Sequence, residues 1–154
     1  MPDFFVEVAH FDSDRQACYA IREAVFVQEQ NVPAALEMDE YDATATHFLL
    51  RDAAGTPLAT ARLLDKHGVA KIGRVAVIKP FRGRGLGLVL MRAVVDEARR
   101  RGLTDAVLDS QTYAIPFYER LGFAAEGDEF DDAGIPHFRM RRKLSSGSVT
   151  PPCS

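Results

Sequence analysis

The residues best suited to chemistry lie at a glycine-rich turn within the stretch Ile72–Gly87. A run of strand-forming residues enters this turn, and an apolar pattern with helical spacing leaves it. Its glycines alternate, at Gly83, Gly85 and Gly87. Glycine lets the backbone turn sharply, and the first N–H groups of a helix lack internal partners. Because the helix dipole also favours anions there, the spacing predicts a phosphate or pyrophosphate site.

Two familiar nucleotide motifs do not fit this turn. The P-loop needs Lys-Ser or Lys-Thr, which does not follow Gly87, and the dinucleotide fingerprint meets Leu88 where its third glycine belongs. A helix-start turn with glycines used for packing is the alternative. Four cations favour the anion site and are expected to surround it: Arg74, Lys79, Arg82 and Arg84.

The pattern Arg82-x-x-Gly85-x-Gly87 resembles the pyrophosphate loop of the GNAT superfamily of N-acetyltransferases. A second segment, Pro116–Phe123, is similar to the family's F-Y-x-x-x-G-F stretch and follows in the right order. Two further segments, Ile21–Pro33 and Gly134–His137, resemble the small bacterial ElaA/YjcF-like branch. The resemblance covers about 3–144, nearly the whole chain.

The resemblance implies an α+β fold of the acyl-CoA N-acyltransferase type, with a central mixed, mostly antiparallel sheet flanked by helices. We expect a single domain over residues 1–144 and a disordered Ser/Pro/Gly-rich tail over residues 145–154. Acetyl-CoA would be the cosubstrate, with no metal. The residues implied to contact coenzyme A are Val75, Ala76, Val77, Arg82, Gly83, Arg84, Gly85, Leu86, Gly87, Gln111 and Tyr118.

The implied reaction is direct attack by a primary amine on the thioester within a ternary complex. Tyr118 occupies the family position that assists departure of the thiolate, and the backbone N–H of Val77 is a plausible oxyanion donor. Full proton transfer from a phenol to a cysteine-like thiolate is uphill by ~2 kcal/mol, so a hydrogen-bonding role is the firmer expectation for Tyr118. The alternative is a tyrosine packed in the core.

The general base is less clearly marked in the sequence. Glu29 is the preferred candidate because it follows an amphipathic helix within the branch-like segment, and the wider set is Glu29, Glu37, Asp39, His47 and His137. Clustered acids over residues 37–42 suggest a cationic small-molecule amine as acceptor, or a peptide amine such as lysine. For any single acid, a solvated surface loop is the alternative.

Hydrophobic periodicity and turn residues predict most of the elements. Ser13 and Gln16 are spaced like a capping box at the start of a first helix. We expect strands near 4–8, 46–52, 58–65, 69–78, 106–108, 123–130 and 137–143, and helices near 13–28, 86–101 and 116–122. Residues 29–42 should form a loop with short helical turns.

Composition excludes several classes of protein. The 154 residues carry a net charge of −3, so no basic surplus points to nucleic acid. The arginines and Lys143 lie on different predicted elements. This distribution is typical of a solvated face together with a coenzyme site. Neither Cys18 nor Cys153 suggests a disulfide framework or metal-ligand spacing.

No membrane span or signal peptide is expected, which leaves a cytoplasmic location by default. A homodimer is common in the superfamily that the chain resembles, and this analogy is the only ground for expecting one. The competing function is a non-catalytic acyl-CoA-binding protein with a regulatory or scaffolding role, which would need the phosphate turn but not Tyr118 or a base.

Overall fold

The computed structural model describes residues 3–132 and 134–144, and the predicted tail lies outside these ranges. Two compact units are formed. The first contains the described residues up to Leu64 together with Gly73–Val94. The second contains Asp65–Ile72 together with the described residues from Val95 onward. A single domain over 1–144 stays a prediction.

The elements follow the predicted order. The chain first forms β1 (Phe4–Val8), α1 (Asp12–Arg22), a π-helix (Glu23–Glu29), α2 (Ala34–Glu37), a 3-10 helix (Glu40–Ala43), β2 (Thr46–Asp52), β3 (Pro57–Lys66) and β4 (Val69–Val77). It continues with a 3-10 helix (Lys79–Phe81), α3 (Leu86–Arg100), β5 (Asp105–Gln111), a 3-10 helix (Thr112–Ala114), α4 (Ile115–Glu119), β6 (Ala124–Asp132) and β7 (Ile135–Lys143).

The strands are hydrogen-bonded in the order β1-β2-β3-β4-β5-β7-β6. Antiparallel pairs join β1 to β2, β2 to β3, β5 to β7 and β6 to β7. One parallel ladder pairs 69–71 of β4 with 105–107 of β5. Parallel neighbours need a long crossover, and α3 supplies it between these two strands. The predicted mixed, mostly antiparallel sheet of an α+β fold is confirmed.

The first helix begins differently from the prediction. Its N-cap is Phe11, which makes no capping hydrogen bond through its side chain, so the proposed capping box at Ser13 and Gln16 is wrong. Ser13 already lies inside the first turn, where a side chain cannot cap. A capping box does form elsewhere, between Asp39 and Asp42 in the 3-10 helix that ends at Ala43.

The predicted helix over residues 13–28 changes its hydrogen bonding part-way. After Arg22 the backbone becomes a π-helix, and the N–H of Gln30 bonds to the carbonyl of Val25, five residues earlier, at 3.1 Å. Short π-helical turns occur frequently at functional sites. Because a π-helix has wider turns than an α-helix, its side chains, including that of its last residue Glu29, point in directions that differ from those of a continuous α-helix.

Helix α3 buries the apolar stripe that its sequence predicts. Leu86, Leu90, Val94 and Ala98 are all buried, and Met91 and Val95 widen the stripe, whereas Ala93 is only partly buried. In the first unit a separate apolar cluster is formed by Ala9, Cys18, Ile21, Val25, Leu49 and Ala76. No helix among the described residues has the length and apolar character needed to span a membrane.

Candidate active site

The glycine turn predicted to bind phosphate, which we call the phosphate-binding turn, joins β4 to α3 in the first unit. Gly83 and Gly85 have φ values of 81° and 78°, in the left-handed region that side chains disfavour. An added Cβ at either glycine would meet no atom within 4 Å, so conformation rather than space requires glycine here. The N–H of Val89 bonds to the carbonyl of Gly85 at 3.2 Å. The preceding amides at the start of α3 therefore lack intrahelical partners, as an anion site needs.

Replacing Gly85 with alanine is expected to weaken coenzyme A binding by about tenfold, because a left-handed alanine costs roughly 1–2 kcal/mol and the turn relaxes away from its binding shape. Isothermal calorimetry with coenzyme A measures the change. Gly102→Ala is the matched control, since Gly102 has a φ of 77° at the other end of α3. Equal weakening by both variants would contradict a binding role for the turn.

Among the four cations expected at the turn, Arg74 is turned to other partners. It has a φ of 52° within β4, and its guanidinium donates to the carbonyl of Glu37 at 2.8 Å. It also pairs with the carboxylates of Glu37 and Asp39, so the expectation that it adds charge to the phosphate site is wrong. Arg84 lies over the ring of Phe81, with 4.9 Å from its guanidinium carbon to the ring centroid.

Arg82 joins three segments of the first unit. Its Nε donates to the carbonyl of Val77 at 2.9 Å, and its Nη2 forms an ion pair with Glu29. The structure thus brings together the end of β4, the start of the phosphate turn and the last residue of the π-helix. The sequence marked all three residues as site candidates but did not reveal that they touch.

The acidic segment over residues 37–42 is neither a solvated loop nor a free negative patch. Three of its carboxylates are paired with three arginines from α1, β3 and β4. Arg22 bonds to Glu37 and to Asp42, both at 2.7 Å. Arg62 bonds to Asp39 at 2.7 Å and to Asp42 at 2.9 Å, while Arg74 completes the set. We call these six residues the arginine–carboxylate network.

Burial makes this network costly to break. The side chains of Arg22, Glu37 and Asp42 are only 1%, 4% and 5% exposed. Burial alone would raise the pKa of Asp42, but hydrogen bonds from Arg22, the Asp39 backbone and Arg62 outweigh it and hold that pKa well below its usual range. The three positive and three negative charges of the network balance, so of the acids over residues 37–42 only the exposed Glu40 lies outside it. A cationic acceptor stays a prediction.

His47, a candidate base, is also enclosed. It is 1% exposed, and its Nε2–H donates to the carbonyl of Asp42 at 2.9 Å. Burial lowers its pKa, so the imidazole is neutral at pH 7, and its Nδ1 is buried without a hydrogen-bond partner. Burial withdraws Glu37 and His47 from contact with a substrate. Asp39 is partly exposed, but its carboxylate is occupied by Arg62 and Arg74, which leaves Glu29 and His137 as the candidates from the predicted set.

The sequence analysis did not predict a structural role for the arginines of the network. A signal was present, because Arg22 lies four residues after Cys18 and one after Ile21, on a helix face that is otherwise apolar. A charged residue inside an apolar stripe is almost never buried without a partner. The acidic run downstream, starting at Glu37, was the available partner.

Tyr118 lies in α4, within the second unit. Its ring meets Phe117 and Phe123 edge to face, with centroids 4.9 and 6.2 Å apart. Burial raises the pKa of the Tyr118 phenol far above its ordinary value, and the nearby Tyr113 adds to the shift. The phenol therefore keeps its proton at neutral pH and can act as a hydrogen-bond donor. The raised pKa makes complete proton transfer less favourable than the sequence implied.

Gln111 and His137 are paired across β5 and β7. The Nδ1–H of His137 donates to the carbonyl of Ile135 at 2.7 Å, and its ring stacks on Phe130 with centroids 5.9 Å apart. These contacts give His137 a role in closing the β6–β7 hairpin.

The cations of β7 also have partners in the second unit. Arg141 bonds to Asp105 at 2.8 Å and to Glu126 at 3.1 Å, and Arg139 bonds to Asp109. Arg142, on the opposite face, donates to the carbonyl of Leu121 at 2.8 Å. Alternation along β7 thus divides these arginines between two faces. Among the described residues, no group of three or more His, Cys, Asp or Glu is placed to hold a metal ion.

The pattern of strand, glycine turn and helix is shared with known proteins. Residues 10–144 match the acetyltransferase (GNAT) domain. The chain belongs to the GNAT acetyltransferase family. It is 36% identical over 136 residues to the N-acetyltransferase YjcF of Bacillus subtilis, which covers 88% of this chain and 96% of YjcF.

Solved structures of the GNAT family share this fold. An acyl-CoA N-acyltransferase from Pseudomonas aeruginosa aligns with a TM-score of 0.80 and 34% identity, covering 91% of this chain and 98% of that one. Escherichia coli ElaA aligns with a TM-score of 0.81 and 28% identity, covering 90% and 99%. The resemblance to the ElaA/YjcF-like branch is confirmed, and the protein is an acyltransferase of the GNAT type.

Proposed function

We propose that this GNAT protein transfers an acetyl group from acetyl-CoA to a primary amine by direct attack within a ternary complex. The observation that carries the proposal is the turn in which left-handed Gly83 and Gly85 lead into the free amides of α3. Such amides suit a diphosphate, and family membership makes coenzyme A the diphosphate expected there.

The predicted site residues are each assigned a role from their position in the fold. The amides over residues 83–87 hold the diphosphate, and the edge of Val75–Val77 hydrogen-bonds the pantetheine arm. The N–H of Val77 stabilises the oxyanion that forms when the amine attacks the carbonyl carbon. Gln111 ends β5 and contacts the pantetheine. The C–S bond then breaks, and the thiolate leaves as the amide forms.

Tyr118 stabilises that departing thiolate. Its raised pKa supports donation of a hydrogen bond rather than complete transfer of the proton. The proton lost by the amine passes to a base, for which Glu29 and His137 are the remaining candidates. An amine whose own pKa lies near neutrality can also enter the site unprotonated, and its attack then depends less on a general base.

A thiol-release assay with acetyl-CoA and a panel of anionic, neutral and cationic primary amines tests the proposal. We expect thiol release that depends on the amine, with the N-acetylated product seen by mass spectrometry. Binding of coenzyme A without transfer to any amine would favour the non-catalytic acyl-CoA-binding alternative, and failure to bind coenzyme A would remove both.

A further inference from the structure

We propose that Arg82 is a positioning residue: it fastens the end of β4 to the phosphate-binding turn, and Glu29 holds Arg82 in place instead of acting as the general base. This inference rests on the proposed function. It assigns a shared task to two residues that the sequence placed in separate roles, as a diphosphate ligand and a base.

The first step is the contact between Arg82 and Val77. The Nε of Arg82 donates to the Val77 carbonyl at 2.9 Å, and the next peptide N–H, that of Ile78, bonds to the Leu58 carbonyl at 3.0 Å. Both sides of the peptide that follows Val77 are therefore held. This fixes the backbone where β4 ends, beside the N–H proposed to stabilise the oxyanion.

The second step concerns the short segment between strand and turn. Residues Lys79–Phe81 form a single 3-10 turn, and the backbone N–H of Arg82 bonds to the carbonyl of Lys79 at 3.2 Å. With its side chain on Val77, Arg82 closes a loop that starts at the strand and ends one residue before Gly83. The spacing between the pantetheine edge and the diphosphate amides thus depends on this arginine.

The third step is the role of Glu29. The Val77 carbonyl and the Glu29 carboxylate occupy Nε and Nη2, which form one edge of the guanidinium. That edge is one of the two with which arginine can bind a carboxylate or phosphate through a pair of parallel hydrogen bonds. Because the protein itself occupies this edge, Arg82 is better suited to hold the turn than to bind the diphosphate.

The π-helix explains how Glu29 reaches this position. The helix changes from α to π after Arg22, and Glu29 is its last residue. In a π-helical segment the side chains point in directions that differ from those of an α-helix. The direction of the Glu29 carboxylate therefore depends on this local irregularity. A carboxylate that points into a guanidinium is poorly disposed to accept a proton from an amine.

Because both side chains of the Arg82–Glu29 ion pair are partly exposed, the inference can be tested in folded protein. The side chains of Arg82 and Glu29 are 43% and 30% exposed. Exposed ion pairs contribute little to stability, so removing this one should leave the fold intact. An effect on transfer or coenzyme binding would then report on positioning rather than on unfolding.

The experiment is a double-mutant cycle with Glu29→Ala, Arg82→Ala and the double variant, read as kcat, KM for acetyl-CoA and the calorimetric Kd for acetyl-CoA. We expect each single variant to lower kcat about tenfold and to raise Kd about threefold, and the double variant to match Arg82→Ala, because Glu29 acts through Arg82. Glu29→Gln should stay within about threefold of the parent and keep its pH–rate profile, since the amide oxygen accepts the same hydrogen bond.

Glu23→Gln is the matched control, because Glu23 lies exposed at the other end of the same π-helix. Two outcomes of the single variants overturn the inference. If Glu29→Gln loses as much activity as Glu29→Ala and the acidic limb of the pH profile disappears, Glu29 is the base. If Glu29→Ala tightens acetyl-CoA binding while Arg82→Ala weakens it, Arg82 binds the diphosphate directly.

The cycle separates failure of this inference from failure of the proposed function. Absence of transfer in the parent protein is a failure of the proposed function alone, and the Kd cycle still measures the coupling between Glu29 and Arg82. Transfer in the parent with additive effects in the double variant is a failure of the inference alone.

Discussion

Replacing Tyr118 with phenylalanine is expected to lower kcat by about tenfold or more, as loss of a proton or hydrogen-bond donor to a leaving group typically does. The Kd for coenzyme A should change little, because the ring and its packing against Phe117 and Phe123 are retained. Steady-state kinetics with acetyl-CoA and calorimetry with coenzyme A measure the two quantities. Unchanged turnover would remove Tyr118 from the mechanism.

Tyr113→Phe is the matched control, because Tyr113 lies five residues earlier and is 76% exposed. It should leave kcat unchanged. The raised pKa of Tyr118 also has a consequence for the pH profile. Since the phenol stays protonated well above its ordinary pKa of about 10, kcat should not decline through ionisation of Tyr118 between about pH 7 and pH 9.

Replacing Arg22 with methionine is expected to reduce the free energy of unfolding by about 3–5 kcal/mol, because two buried carboxylates would lose their shared partner. Arg22 is 1% exposed and contacts both Glu37 and Asp42. Urea unfolding followed by circular dichroism measures the loss. Arg15→Met is the control, since Arg15 lies on the same helix in an exposed pair with Asp12 and should cost less than about 0.5 kcal/mol.

The same network predicts how stability depends on pH. The pKa of Asp42 is lower in the folded protein than in the unfolded chain, so its contribution is fully present above the unfolded value of about 3.9. That contribution is lost as the pH falls below this value towards the folded pKa. Asp42→Asn should therefore be less stable at neutral pH and show a flatter decline under acid. An unchanged acid profile would contradict the role given to Asp42.

The network also changes how the segment before β2 is understood. Three of its acids, Glu37, Asp39 and Asp42, pair with arginines, while Leu36, Met38, Glu40 and Tyr41 are exposed. The carbonyls of Leu36 and Glu37 accept from Arg74, which precedes Val75 in the strand proposed to bind pantetheine. The segment is thus fastened to that strand by buried charges, and disrupting the network should disturb coenzyme binding as well as stability.

Local sequence patterns correctly predicted the elements whose geometry is local. The alternating glycines near Gly85 predicted a sharp turn, because glycine adopts backbone conformations that few other residues can. The apolar spacing from Leu86 onward predicted the buried face of α3 because helical periodicity is a short-range property. The capping box at Ser13 failed because its spacing matched a motif without fixing where the helix begins.

Those local patterns did not predict which side chains contact one another. The sequence by itself determined the family, the α+β fold and the glycine turn before α3, since each is encoded by residue types at short, fixed spacings. Only the tertiary structure decided that Arg82 meets Glu29 across 53 positions, or that Arg74 turns away from the phosphate turn to Glu37. Contacts between distant segments depend on how strands and helices pack, and a charged residue carries no local signal of which opposite charge it will meet.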